Sequence, residues 1–158
     1  MPYSGSFYED FSPGETIRHS LGRTVTDVDN IWFTLLTCNT NQIHFNTDYT
    51  RKFFSGEPFR GRLAVNAYLV LSIVVGLSVD DTSRNGVMLG EKNMRMLKPV
   101  FAGDTLYSQT TILSKKLSKS HKNMGIVELR TEGLNQGGEK VIEFERTIMV
   151  RKKGKAWG

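Results

Sequence analysis

Two stretches near the end of the chain alternate between apolar and polar positions. In "GIVELRTEGL", Val127, Leu129 and Thr131 alternate with Glu128, Arg130 and Glu132. In "VIEFERTIMV", Ile142 and Phe144 alternate with Glu143 and Glu145. A period of two predicts a strand with one face buried. The turn-forming "NQGGEK" between them predicts a hairpin. Upstream, "VMLGEKNMRMLKPV" reads as a strand with an irregular start, and "AGDTLYSQTTILSKKLS" as a strand opened by a Gly-Asp turn.

A different pattern fills Leu63 to Val79, "LAVNAYLVLSIVVGLSV", which is apolar on all sides. Its length approaches that of a membrane span, but Asn66, Ser72, Gly76 and Ser78 interrupt it. It is read as a buried central helix over about Val65–Val79. The N-terminal third is more broken. "FSPGETI" is a turn entering a strand, and "TIRHSLGRTVT" has β character. Thr26 or Asp27 caps a helix whose apolar face includes Ile31, Leu35 and Leu36. Thr37 to Asn46 is irregular. "TDYTRKFF" is a short helix with Thr47 or Asp48 as cap, and "SGEPFRGRL" is a loop. One dominant helix followed by a run of antiparallel strands argues an α+β class. A sheet curled around that helix buries all its apolar sides, which is the hot-dog arrangement.

Composition narrows the setting. The 158 residues, 39% hydrophobic and 23% charged, predict one globular domain over 1–158. One cysteine, Cys38, excludes a disulfide within the chain and suits a reducing cytoplasm. The start "MPYSGSFYEDF" lacks the basic-then-apolar pattern of a secretory signal. The expectation is a cytoplasmic protein without a membrane span. The net charge of +5 includes the terminal "RKKGKAWG", either a solvated tail or a patch for an anionic ligand. No zinc-finger spacing, RNP-like aromatic pattern or helix-turn-helix accompanies it, so no nucleic-acid partner is expected.

Candidate chemistry is concentrated in "CNTNQIHFNTDY", Cys38 to Tyr49. His44 is a group that titrates near neutral pH and suits a general base. Asn39 can hold a water but cannot take its proton. The same residues also make ordinary caps and turns. The second element is the helix entry "GRLAVNAYL". Unpaired N–H groups at a helix start stabilise a developing oxyanion, and Asn66 and Ala67 stand there. Taken alone, the segment reads first as an ordinary helix start with Asn66 as its cap.

Together, "NTNQIHFN" and "GRLAVNAYLVLS" resemble the hydratase signature of the MaoC-like family, which includes the (R)-specific enoyl-CoA hydratases. "LKPVFAGDTLYSQTTIL" is similar to the segment that follows the central helix there. The opening "FYEDFSPGETIRHSLGRTVTDVDNIWFTLLTCNTN" resembles the mesaconyl-CoA hydratase and β-methylmalyl-CoA dehydratase branch. The family motif is usually Asp-x-Asn-Pro-x-His. Asn39 falls on its aspartate, Asn41 on its asparagine, Gln42 on its proline and His44 on its histidine. Asn66-Ala67 falls on the family's His-Gly pair, whose backbone N–H is the oxyanion donor.

The resemblance implies a hot-dog enzyme, a homodimer or higher homo-oligomer, that adds water to a 2-enoyl-CoA, or removes it from a 3-hydroxyacyl-CoA. The acyl chain is expected to be branched or dicarboxylic. Asn39 and His44 are the implied catalytic pair. Asn41, Asn66, Ala67, Arg62 and Lys98 are the expected substrate contacts. No metal is expected, nor any cofactor beyond the coenzyme A of the substrate. Asn39 departs from the family carboxylate. That departure keeps a non-catalytic acyl-CoA binder in view, and the fold keeps a thioesterase in view. Of the remaining groups, Asp48 is read as a helix cap, Cys38 as a buried structural thiol, and His19 and His121 as surface residues. Arg60 is plain surface charge or a phosphate contact. Met94 and Met96 are read as core or pocket filler.

Overall fold

The computed structural model describes residues 5–157. Short strands β1 (Thr16–Arg18) and β2 (Arg23–Thr24) lead into helix α1 (Asp27–Leu36). A 3-10 turn (Gln42–His44), the second after one at Tyr8–Asp10, and helix α2 (Thr47–Phe53) follow, then the long helix α3 (Ala67–Thr82). Strands β3 (Gly86–Met96), β4 (Thr105–Leu117), β5 (Met124–Leu134) and β6 (Lys140–Arg151) complete the chain. The sheet is antiparallel, in the order β1-β4-β5-β6-β3, with β2 also on β4. The α+β arrangement expected from the hydrophobic pattern is present, and β5 and β6 pair as the predicted hairpin.

The sheet folds around α3, whose Leu69, Val70 and Val74 pack with Val65, Leu106, Val141, Ile142 and Phe144. Gly133 of β5 lets the helix approach. A Cβ there would stand 2.6 Å from both Val74 Cγ2 and Ile142 Cγ2. A second cluster of Phe11, Ile112, Val127, Leu129, Ile148 and Val150 seals the far end of the sheet. Among the described residues, no helix is long and apolar enough to cross a membrane.

Several local expectations change. The central helix runs over Ala67–Thr82, two residues later at its start than the apolar pattern suggests, because Asn66 caps it by accepting the Tyr68 N–H at 3.0 Å. The cap of α2 is Asn46, not Thr47 or Asp48. Its side chain accepts the Tyr49 N–H at 3.1 Å. Asp48 instead pairs with Lys52 one turn on. The cap of α1 is Thr26, in a reciprocal box with Asp29. Yet the face that α1 buries is polar. Asn30 and Thr34 are buried, while Val28, Trp32, Leu35 and Leu36 are exposed. His19 is also buried, held by Asp81 on Nδ1 at 2.6 Å and Thr110 on Nε2 at 2.9 Å. His121 is exposed.

Candidate active site

The end of α1 sets the position of Asn39. Cys38 takes a left-handed φ of 55° and donates to the Leu35 carbonyl at 3.0 Å, while Asn39 N donates to Thr34 O at 3.0 Å. This pair of bonds is a Schellman termination with Cys38 where glycine is usual. The cysteine is therefore exposed rather than buried. Directly after it, Asn39 Oδ1 accepts the Asn41 N–H at 2.9 Å, and Asn41 Oδ1 accepts the Ile43 N–H at 3.3 Å. These two side-chain turns wind the chain into the 3-10 turn that presents His44. Asn39 and Asn41 of "NTNQIHFN" are thus turn formers. Because Asn39 Oδ1 is occupied by an N–H donor, the free side of this amide is its NH2 group.

His44 Nδ1 lies 2.8 Å from the carbonyl oxygen of Ala64. A carbonyl only accepts, so Nδ1 carries the proton. The neutral ring then has its lone pair on Nε2. The Ala64 strand segment is itself stitched on both sides. Ala64 N donates to Ile43 O at 3.1 Å, and Val65 N donates to Val100 O at 2.8 Å. The segment ends at the start of α3. Among the described residues no acceptor takes the N–H of Ala67, since Asn66 Oδ1 is directed to Tyr68.

These pieces line one cleft of about 400 Å³, a volume suited to part of a small-molecule ligand. Asn39, His44, Asn66, Ala67 and Lys98 all line it, with Phe59, Tyr68 and Met96 supplying apolar wall. Lys98 is its one cationic side chain and is ion-paired with Glu139. Arg62 lies elsewhere, its guanidinium 3.7 Å from the centre of the Phe101 ring. Arg60 pairs with Glu57 in the loop. Asn41 stays outside the lining. Met94 packs against the core. Among the described residues no three His, Cys, Asp or Glu side chains gather as a metal site.

The site contains a residue that the motif does not announce. Asn30, 1% exposed, donates to the carbonyls of His44 at 2.9 Å and Ala64 at 3.0 Å, and accepts the Asn66 N–H at 2.9 Å. One sequence signal does point to it. Asn30 and Thr34 are four apart and share a face of α1.

Comparison with known proteins gives a consistent result. The sequence model of the mesaconyl-CoA hydratase family matches residues 3–156. A mesaconyl-CoA hydratase of Cereibacter sphaeroides is 36% identical over 97% of this chain and 43% of its own length. An (R)-specific enoyl-CoA hydratase of Rhodospirillum rubrum is 28% identical over 94% of both chains. Among solved structures, a MaoC domain dehydratase from Chloroflexus aurantiacus superposes with a TM-score of 0.85 at 30% identity, over 99% of this chain and 44% of that one. A Mycobacterium tuberculosis protein with a double hotdog fold superposes at 0.82 with 17% identity, over 98% of this chain and 46% of that one, a likeness of fold. The chain spans about two fifths of the length of the mesaconyl-CoA hydratase relative.

Proposed function

The chain belongs to the mesaconyl-CoA hydratase family, and on that premise we propose that it hydrates a 2-enoyl-CoA, or dehydrates the matching 3-hydroxyacyl-CoA. The acyl chain is branched or dicarboxylic. The observation that carries this reading is one cleft that holds both a base and an oxyanion donor. His44 Nε2 keeps its lone pair because Ala64 O holds Nδ1–H, and Ala67 N–H is free at the helix start.

In the hydration direction, a water donates to His44 Nε2 while the Asn39 NH2 holds its oxygen. The water oxygen attacks C3, its proton passes to Nε2, and the C2=C3 electron pair moves onto the thioester oxygen. Ala67 N–H stabilises that developing charge, aided by the positive end of α3. His44 then returns the proton to C2. One imidazole thus takes the proton and returns it, so water and proton add to one face of the double bond. Lys98 at the cleft serves the anionic parts of the substrate. The reaction draws on no group beyond the coenzyme A of the substrate.

The protein acts as a homodimer or a higher assembly. The outer edge of β3 has no partner strand among the described residues, and Val87 and Leu89 on it are exposed. The mesaconyl-CoA hydratase relative of Cereibacter sphaeroides is more than twice as long as this chain.

The competing reading is a non-catalytic acyl-CoA binder, which Asn39 favours because it replaces the family carboxylate. A spectrophotometric assay with crotonyl-CoA and mesaconyl-CoA, followed by HPLC, separates the readings. Hydrated thioester is expected from the wild type, and about 100-fold less from His44→Ala, the scale of a lost general base. Binding without turnover gives the binder, and free coenzyme A gives a thioesterase.

A further inference from the structure

Asn30 joins parts of the cleft that come from distant stretches of chain. Its first acceptor is the carbonyl of the His44 peptide, at 2.9 Å. Its second is the Ala64 carbonyl, at 3.0 Å, the same oxygen that holds His44 Nδ1. Its own oxygen takes the N–H of Asn66, at 2.9 Å, one peptide before the free N–H of Ala67. Two carbonyls can only accept and an N–H can only donate, so the orientation of the amide is forced. Both donors and the acceptor are used. The side chain comes from α1, an element that supplies no residue to the cleft lining.

A buried amide need not be arranged this way. An asparagine that only satisfied itself could bond within its own helix or to its nearest loop. Here the three bonds run to the base segment, to the anchor of the base, and to the start of the helix that carries the oxyanion donor. Thr34, one turn further on, accepts from Asn66 Nδ2 at 3.3 Å and steadies the same helix start.

We infer that Asn30 is a positioning residue, one amide that fixes His44 and the start of α3 relative to each other. The inference rests on the hydratase reading of the cleft. In that reaction the water is held at one end and the thioester oxygen at the other, so the spacing of base and donor must match the substrate. A misplacement of the order of 1 Å costs on the order of 100-fold in rate. Asn30 touches no reacting atom.

The test compares wild type with Asn30→Ala and the near-isosteric Asn30→Asp. Asn30→Asp keeps the acceptor for Asn66 N–H and removes both donors. Ser78→Ala, a buried change near the other end of α3, serves as the control for lost stability alone. Two readouts are taken, steady-state hydration of crotonyl-CoA and the ¹⁵N shifts of the His44 ring. With only three histidines in the chain, those shifts are assignable. The wild-type ring is expected as the Nδ1–H tautomer.

Both Asn30 variants are expected to lose about 10- to 100-fold in kcat, with KM within about twofold, and to mix the two His44 tautomers. Ser78→Ala is expected to keep wild-type kcat and tautomer. Folded Asn30 variants with wild-type kcat and an unmixed tautomer would overturn the proposal and leave Asn30 as packing. If Asn30→Ala does not fold, Asn30→Asp gives the same two readouts. If the wild type hydrates nothing, the hydratase reading fails, and the tautomer alone decides whether Asn30 positions His44.

Discussion

Asn39 lines the cleft, and the Asn41 N–H occupies its oxygen, which leaves its NH2 group as the free donor. In Asn39→Asp, one carboxylate oxygen would keep that bond and the other would replace a donor with a charged acceptor. The variant is expected to lower kcat/KM for hydration by about tenfold, the worth of one well-placed hydrogen bond. A large gain in the same assay would instead mark Asn39 as a degenerate form of the family aspartate. At this scale the sequence was informative where local chemistry decided the outcome. Asn39, His44, Asn66, Ala67 and Lys98 meet in one cleft. Arg62 does not line it, because stacking on Phe101 captures the guanidinium. Asn30 escaped notice for a physical reason. Polar residues on a helix are read as facing solvent, and only the later folding of Ala64 and Asn66 against α1 gives this amide its partners.

Helix α3 has a second polar attachment at its C-terminal half. Arg146, 2% exposed, donates from Nε to Thr131 Oγ1 at 3.3 Å and from Nη2 to Ser78 at 2.5 Å and Thr82 at 3.1 Å. Thr131 and Thr110 hydroxyls are 3.1 Å apart, and Thr110 meets His19 Nε2 at 2.9 Å. His19 Nδ1 then meets Asp81 at 2.6 Å. Arg146 must donate and the Asp81 carboxylate must accept, so with neutral His19 every hydrogen along the chain points toward Asp81. Burial pushes Arg146 down to about 10, still charged at neutral pH. Burial also lowers His19 from its ordinary 6.5, with Arg146 adding to that and Asp81 opposing it. The unfolded chain therefore takes up the proton first as pH falls. The contribution of neutral His19 to stability is complete above about pH 6.5 and is lost as pH falls through the folded value. Urea midpoints measured from pH 7.5 down to 5 are expected to fall more steeply for wild type than for His19→Gln. Equal slopes would exclude the coupling. Strand periodicity made β5 and β6 legible, but the partners of His19 lie 62 and 91 residues away, beyond the reach of a local pattern.

For the whole molecule, the apolar pattern identified the central helix and the antiparallel sheet. It misjudged α1, where Leu35 and Leu36 of the expected apolar face stay exposed and Ile31 is half-buried. A hydrophobic period shows which face seeks cover, without saying whether one chain supplies it. The exposed β3 edge, with Val79 exposed on α3, belongs to the same question. Light scattering coupled to gel filtration is expected to give at least the mass of two chains. The double variant Leu89→Lys with Val79→Glu is expected to shift the peak to one chain. A monomeric wild type at micromolar concentration would refute the assembly. The Schellman turn at Cys38 has a practical consequence as well. It holds the chain's one thiol in solvent, one residue before Asn39. A fluorophore attached to that thiol becomes a built-in gauge of occupancy beside the cleft, readable in real time with no cysteine to remove elsewhere.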